Sequence, residues 1–139
     1  MNGTELFLPV LAHVFLVIVL FVFLIVRKSL AVKRGEVDLT KTALNNQAWT
    51  PEVLQVSNNI ANQFETPVLF YILSIILALL DGFSTYSLVL AWAYVALRYI
   101  HCYIHIRSNY VPYRMRVFAL SMLVLLLMLI QAAITLLSL

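Results

Sequence analysis

Residues 6–26 run for 21 positions without a charged side chain, and the run ends at Arg27 and Lys28. A helix rises about 1.5 Å per residue, so this stretch covers the roughly 30 Å of hydrocarbon in a bilayer. Composition points the same way: 63% of the chain is hydrophobic, 11% is charged and the mean hydropathy is +0.98. Soluble domains hold about half apolar and a quarter charged residues, so a water-soluble monomer is excluded. With 139 residues there is room for about four crossings and their connections, and for no separate soluble domain. The opening MNGTELFLPV has neither a basic n-region nor a small-residue cleavage site before Arg27. The first run therefore reads as a retained helix and not as a secretory signal.

Apolar runs and breakers predict four helices, over about residues 5–27, 51–80, 83–107 and 113–138, forming one all-α integral membrane bundle across residues 1–139. The second is polar in its first half and apolar in its second, and Asp81-Gly82 is expected to end it. The basic residues sort to two places. Arg27, Lys28, Lys33, Arg34 and Lys41 lie in or beside the first connection, and Arg98, Arg107, Arg114 and Arg116 lie around the third. The positive-inside rule puts both connections in the cytoplasm and both termini on the far side. The net charge of +3 has the same origin, so no nucleic-acid partner is expected, while membrane lipids surround the whole chain. A single cysteine, Cys102, allows no internal disulfide and no CxxC site. Lying about 100° off the histidine face of its helix, it reads as a packed small hydrophobe rather than a nucleophile.

Two polar faces stand out at the same depth. On the second helix Asn58, Asn62 and Glu65 are spaced i, i+4, i+7, and on the third Tyr94, Arg98, His101 and His105 are spaced i, i+4, i+7, i+11. Ionisable groups in a membrane helix face protein or water and pair with something, so Glu65 is expected to pair with Arg98. These residues could simply glue two helices together, at about 0.6 to 2 kcal/mol per contact. They could instead line a polar pocket, which their number favours. A third reading makes His101, His105 and Glu65 ligands of zinc or iron, although Arg98 one turn away would repel the cation. No metal is expected. Tyr99, Tyr103, Tyr110 and Tyr113 fit an interfacial aromatic belt, and the last two flank the basic connection, where they could line a ligand entrance.

The basic first connection, NNIANQFETPVLFY opening the second helix, and RYIHCYIHIRSNYVPYR closing the third together resemble the MAPEG family, membrane-associated proteins in eicosanoid and glutathione metabolism. The resemblance covers the whole chain and looks closest to bacterial members. Its most specific piece is Asn62-x-x-Glu65 followed by Pro67 and an aromatic-aliphatic run. It implies a homotrimer with glutathione, as cosubstrate, held between neighbouring copies on the cytoplasmic side. It also implies that Arg27, Asn62, Glu65, Arg98, His101 and Arg114 contact the tripeptide, with His105 where the family carries a tyrosine. Arginines suit the two carboxylates of glutathione and Glu65 suits its ammonium group. Arg114 is the residue expected to stabilise the thiolate. The chain departs from the pattern at Asn58 and Ala61, where arginines are common, and at Met115 and Phe118, where some members place a serine and a tyrosine. The implied activity is that of a glutathione-dependent transferase or peroxidase acting on lipophilic electrophiles. The alternative is a non-catalytic module, either an accessory subunit or a lipid-binding bundle, and loss of the hydroxyl donors favours it.

Overall fold

In the computed structural model, which describes residues 3–80 and 82–138, the chain is all-helical with four spans long and apolar enough to cross a membrane. The first span is a 3-10 turn (Gly3–Leu6) continued by α1 (Phe7–Lys33). It runs past Arg27 and Lys28 because basic side chains reach water on long aliphatic stems without disturbing a helical backbone. Gly35 stops it. Its φ of 67° lies in the left-handed region, its N–H donates to the Val32 carbonyl at 3.0 Å, and Glu36 N–H donates to the Ala31 carbonyl at 3.1 Å. This is a Schellman ending, which needs a residue that accepts positive φ. No atom lies within 4 Å of where a Cβ would stand, so the cost of adding one is purely conformational. Gly35→Ala is expected to destabilise the protein by about 1 kcal/mol. An unchanged melting temperature in detergent would contradict this.

The first connection holds α2 (Leu39–Thr42) and a 3-10 turn (Asn46–Ala48). Asp38 caps α2, accepting from the Thr40 hydroxyl at 2.6 Å and the Thr40 N–H at 2.9 Å, and these bonds hold its carboxyl below the usual range.

The second span is not the continuous helix expected over 51–80. It is α3 (Pro51–Gln63) and α4 (Thr66–Leu79), separated at Phe64 and Glu65. Pro67 is the cause, because it has no N–H for the Gln63 carbonyl and its ring would press on that carbonyl. Asp81, expected to end this span, lies outside the described residues. The third span, α5 (Thr85–Ile106), begins with a capping box in which Ser84 and Ser87 bond each other's backbone N–H groups, at 3.2 and 2.8 Å. α6 (Val111–Leu137) makes the fourth.

α6 packs on α5 and α4, and α1 on α3 and α5. One apolar core gathers Leu6, Phe70, Leu77, Tyr94 and Met128, with the Phe70 and Tyr94 rings stacked at 4.6 Å. A smaller one, nearer the first and third connections, gathers Leu16, Leu20, Val56, Ile60 and Cys102. The outer faces of α1 and α6 expose Phe15, Ile25, Leu123 and Ile134, as suits a surface solvated by lipid chains.

Candidate functional site

α5 turns its polar residues inward. Tyr94 and Arg98 are fully buried and His101, Cys102 and His105 nearly so, which makes the expected face the packed one. α3 behaves differently. Asn58 and Glu65 are exposed and Asn62 only partly covered, whereas Asn59 and Gln63 are buried against α5. The apolar positions decide this, since Val53, Val56 and Ile60 form the buried stripe and Gln63 continues it at the next helical step.

Gln63 is the centre of a buried network. Its Oε1 accepts from Arg98 Nη2 at 3.0 Å and from His13 Nε2 at 3.1 Å. Its Nε2 donates to Asn59 Oδ1 at 2.9 Å, and Asn59 Nδ2 donates to the Cys102 carbonyl at 3.3 Å and to Cys102 Sγ at 3.2 Å. An amide oxygen only accepts, so His13 carries its proton on Nε2 and offers a bare Nδ1 to the Tyr71 hydroxyl, 2.6 Å away. Arg98 Nη2 also donates to the Asn62 carbonyl at 3.2 Å, a group that the helix break deprives of its usual partner in the next turn.

The expected pairing of Glu65 with Arg98 is therefore corrected. Among the described residues the one ion pair is Arg34 with Glu36, 3.9 Å apart on the surface. The break at residues 64–65 leaves Glu65 exposed at the start of α4, while Arg98 turns to the amides of α3.

Glu65 instead lines a cleft of about 200 Å³ with Asn62 from the α3–α4 junction, His101 from α5, and Arg114, Met115 and Phe118 from α6. Arg114 is held by Asn109, whose Oδ1 accepts from Nη1 at 2.5 Å. Asn109 has a φ of 51°, a left-handed conformation that asparagine tolerates. Of the residues that line it, Arg114 and His101 each have a buried nitrogen without a protein partner, Nε and Nδ1, and outside the lining the same holds for Nε and Nη1 of Arg98 and Nδ1 of His105. Buried polar atoms are nearly always bonded, so these nitrogens have hydrogen-bonding capacity to spare. Polarity divides the cleft, with Arg114 and His101 against the Glu65 carboxylate.

Arg98, His105 and Arg27 do not line this cleft. His105 sits behind His101, ring centroids 5.9 Å apart, and its carbonyl accepts from Gln55 Nε2 at 2.6 Å. Arg27 lines a different cleft with Arg34, Glu36 and Glu52, its guanidinium 5.0 Å from the Phe23 ring centroid. Among the described residues no three of His, Cys, Asp and Glu are placed to hold a metal ion. Tyr99, Tyr103, Tyr110 and Tyr113 are exposed, as a belt requires, and Tyr110 and Tyr113 pack edge to face at 4.8 Å.

Sequence reading missed His13, Gln63, Asn59 and Tyr71. The signal was present in His13, an ionisable side chain amid an apolar run, which at membrane depth needs a partner.

Comparison with known proteins adds one finding. The model of the MAPEG family matches residues 6–134. No curated protein matches the chain, and no solved structure does.

Proposed function

We propose, because the chain belongs to the MAPEG family, that it binds glutathione in the cleft between the α3–α4 junction and α6 and acts as a transferase or peroxidase on lipophilic electrophiles. Family membership supports a membrane function in glutathione or eicosanoid metabolism, and the finer assignment rests on the cleft. One observation carries it: the cleft sets Arg114 and His101 against the Glu65 carboxylate, with the buried Arg98, which forms no ion pair among the described residues, outside its lining. Opposite charges on facing walls suit a ligand that carries both carboxylates and an ammonium group. Glutathione offers two carboxylates for the arginines, an ammonium group for Glu65 and a thiol for Arg114. His101 and Asn62 would position the tripeptide. Arg27, in its separate cleft, and His105, behind His101, take part only if a second copy or a small rearrangement brings them in; the homotrimer implied by the family supplies the former.

Chemistry would follow from charge. The thiol proton leaves to water, Arg114 stabilises the resulting thiolate, and the sulfur forms a bond to the electrophilic carbon as the leaving group departs. An apolar groove of about 360 Å³, lined by Leu69, Ile72 and Ile76 of α4 and Met122, Leu126 and Leu129 of α6, begins one turn beyond Glu65 and Phe118. It would receive the lipophilic substrate directly from the bilayer. Titrating purified protein with glutathione while recording the ultraviolet difference spectrum tests the proposal. Saturable binding with a thiolate band at neutral pH is expected, and absence of binding would refute it. Met115 and Phe118 both line the cleft in place of hydroxyl donors, which favours a second reading as a non-catalytic binding module. Binding without a thiolate band would select that reading.

On the positive-inside rule the cleft would lie on the cytoplasmic side and both termini opposite. A C-terminal reporter active only in the cytoplasm should be silent, and a strong signal would reverse this orientation.

A further inference from the structure

We propose that His13 and Gln63 are positioning residues for the cleft, forming with Arg98 a clamp that fixes the broken second span. The break interrupts the helical bonding between α3, which carries Asn62, and α4, to which Glu65 is tied by the bond from Val68 N–H to its carbonyl at 3.3 Å. Something else must fix them, because Asn62 and Glu65 supply one wall of the cleft. Arg98 Nη2 does so from α5, holding at once the Asn62 carbonyl at 3.2 Å and the Gln63 side chain at 3.0 Å. Gln63 is held from the opposite side by His13 of α1, at 3.1 Å. His13 is in turn fixed in the one tautomer that can donate to Gln63, because the Tyr71 hydroxyl of α4 occupies its Nδ1 at 2.6 Å. Bonds from α1 and α5 thus converge on the last two residues before the break, and α4 supports the α1 member through Tyr71. His13, Gln63 and Arg98 are essentially without exposure. None of the three lines the cleft, so their effect on it passes through Asn62 and Glu65.

The clamp does not depend on the identity of the ligand, whereas its effect on binding rests on the glutathione reading above. Two measurements on the full chain in detergent separate these. The first is amide hydrogen exchange at residues 64–68. The second is glutathione affinity, together with the thiolate absorbance of the saturated complex. In His13→Phe, exchange at 64–68 is expected to accelerate about tenfold while the rest of α5 and α6 is unchanged. Glutathione should bind about tenfold more weakly, or about 1.4 kcal/mol. Thiolate absorbance at saturation should be preserved, since Arg114 stands on α6. His13→Gln, which restores an N–H donor, should recover both values, and Tyr71→Phe, which removes only the hydroxyl, should fall between. A His13→Phe protein with a lower melting temperature but wild-type exchange at 64–68 and wild-type affinity would overturn the proposal, because His13 would then be a packing residue only. If His13→Phe fails to fold, Tyr71→Phe decides: unchanged exchange at 64–68 overturns the clamp. Failure of the wild type to bind glutathione would refute the functional reading and leave the exchange result to judge the clamp.

Discussion

Arg98→Met is expected to loosen the junction of α3 and α4 and weaken glutathione binding, with little net change in global stability. The guanidinium is fully buried, bonds two neutral oxygens and, among the described residues, forms no ion pair. Its removal regains the desolvation of a buried charge, but leaves the Asn62 carbonyl without that donor at a cost of about 1 to 3 kcal/mol, so the two effects oppose each other. Gln63 Oε1 would keep its bond from His13, which limits the loss. Glutathione binding should fall roughly tenfold, or about 1.4 kcal/mol, because the cleft wall formed by Asn62 and Glu65 loses its hold from α5. Thermal unfolding and glutathione titration on the same preparation test both halves. A protein that is less stable by several kcal/mol would show that the bonds to Asn62 and Gln63 outweigh the desolvation of the charge, and one that binds normally would remove Arg98 from any role at the cleft.

The second large effect is at Arg114. In a complex with glutathione bound as proposed, the thiolate would depend on it almost alone, because Met115 and Phe118 would offer the sulfur no hydrogen bond. A thiol titrates at about 8.5 without help, and a cation within about 4 to 6 Å can lower that by one to three units. Arg114→Ala should therefore abolish the thiolate band at neutral pH and reduce turnover by about a hundredfold or more, while weakening tripeptide binding far less, since Arg98, Asn62 and Glu65 remain. Arg114→Lys should recover part of the band, because the charge returns without the bond from Nη1 to Asn109. A full thiolate band in Arg114→Ala would assign activation to another group, with His101 the nearest candidate on the cleft wall.

The first prediction reverses what the sequence suggests about the same residue, and the reversal is instructive. Read along the chain, Glu65 and Arg98 are opposite charges at one depth on neighbouring helices, and their pairing follows if the second span is a continuous helix. Pro67 was visible in that reading, but its consequence was not: it moves the backbone direction at Phe64 and Glu65 and leaves the carboxylate outside. Likewise Asn58, Asn62 and Glu65 and the pair Asn59 and Gln63 are both sets with helical spacing. Choosing between them required knowing which side of α3 faces α5, and Val53, Val56 and Ile60 settle that by burial.

Membrane residence, four crossings and the inward polar face of α5 were determined by the sequence itself. Each depends on local quantities: the length of an uncharged run, the spacing of polar residues and the positions of proline and glycine. The partners of Arg98 were decided only by the tertiary structure. His13 and Gln63 lie 50 residues apart and meet through packing of α1 on α3, a contact that no periodicity encodes. The cleft has the same origin. Asn62 and Arg114 approach each other because a proline interrupts one helix and an asparagine with positive φ starts the next connection at the right angle. Side-chain spacing along a helix reports which residues share a face, and only the rotation of that helix against its neighbours determines what the face meets.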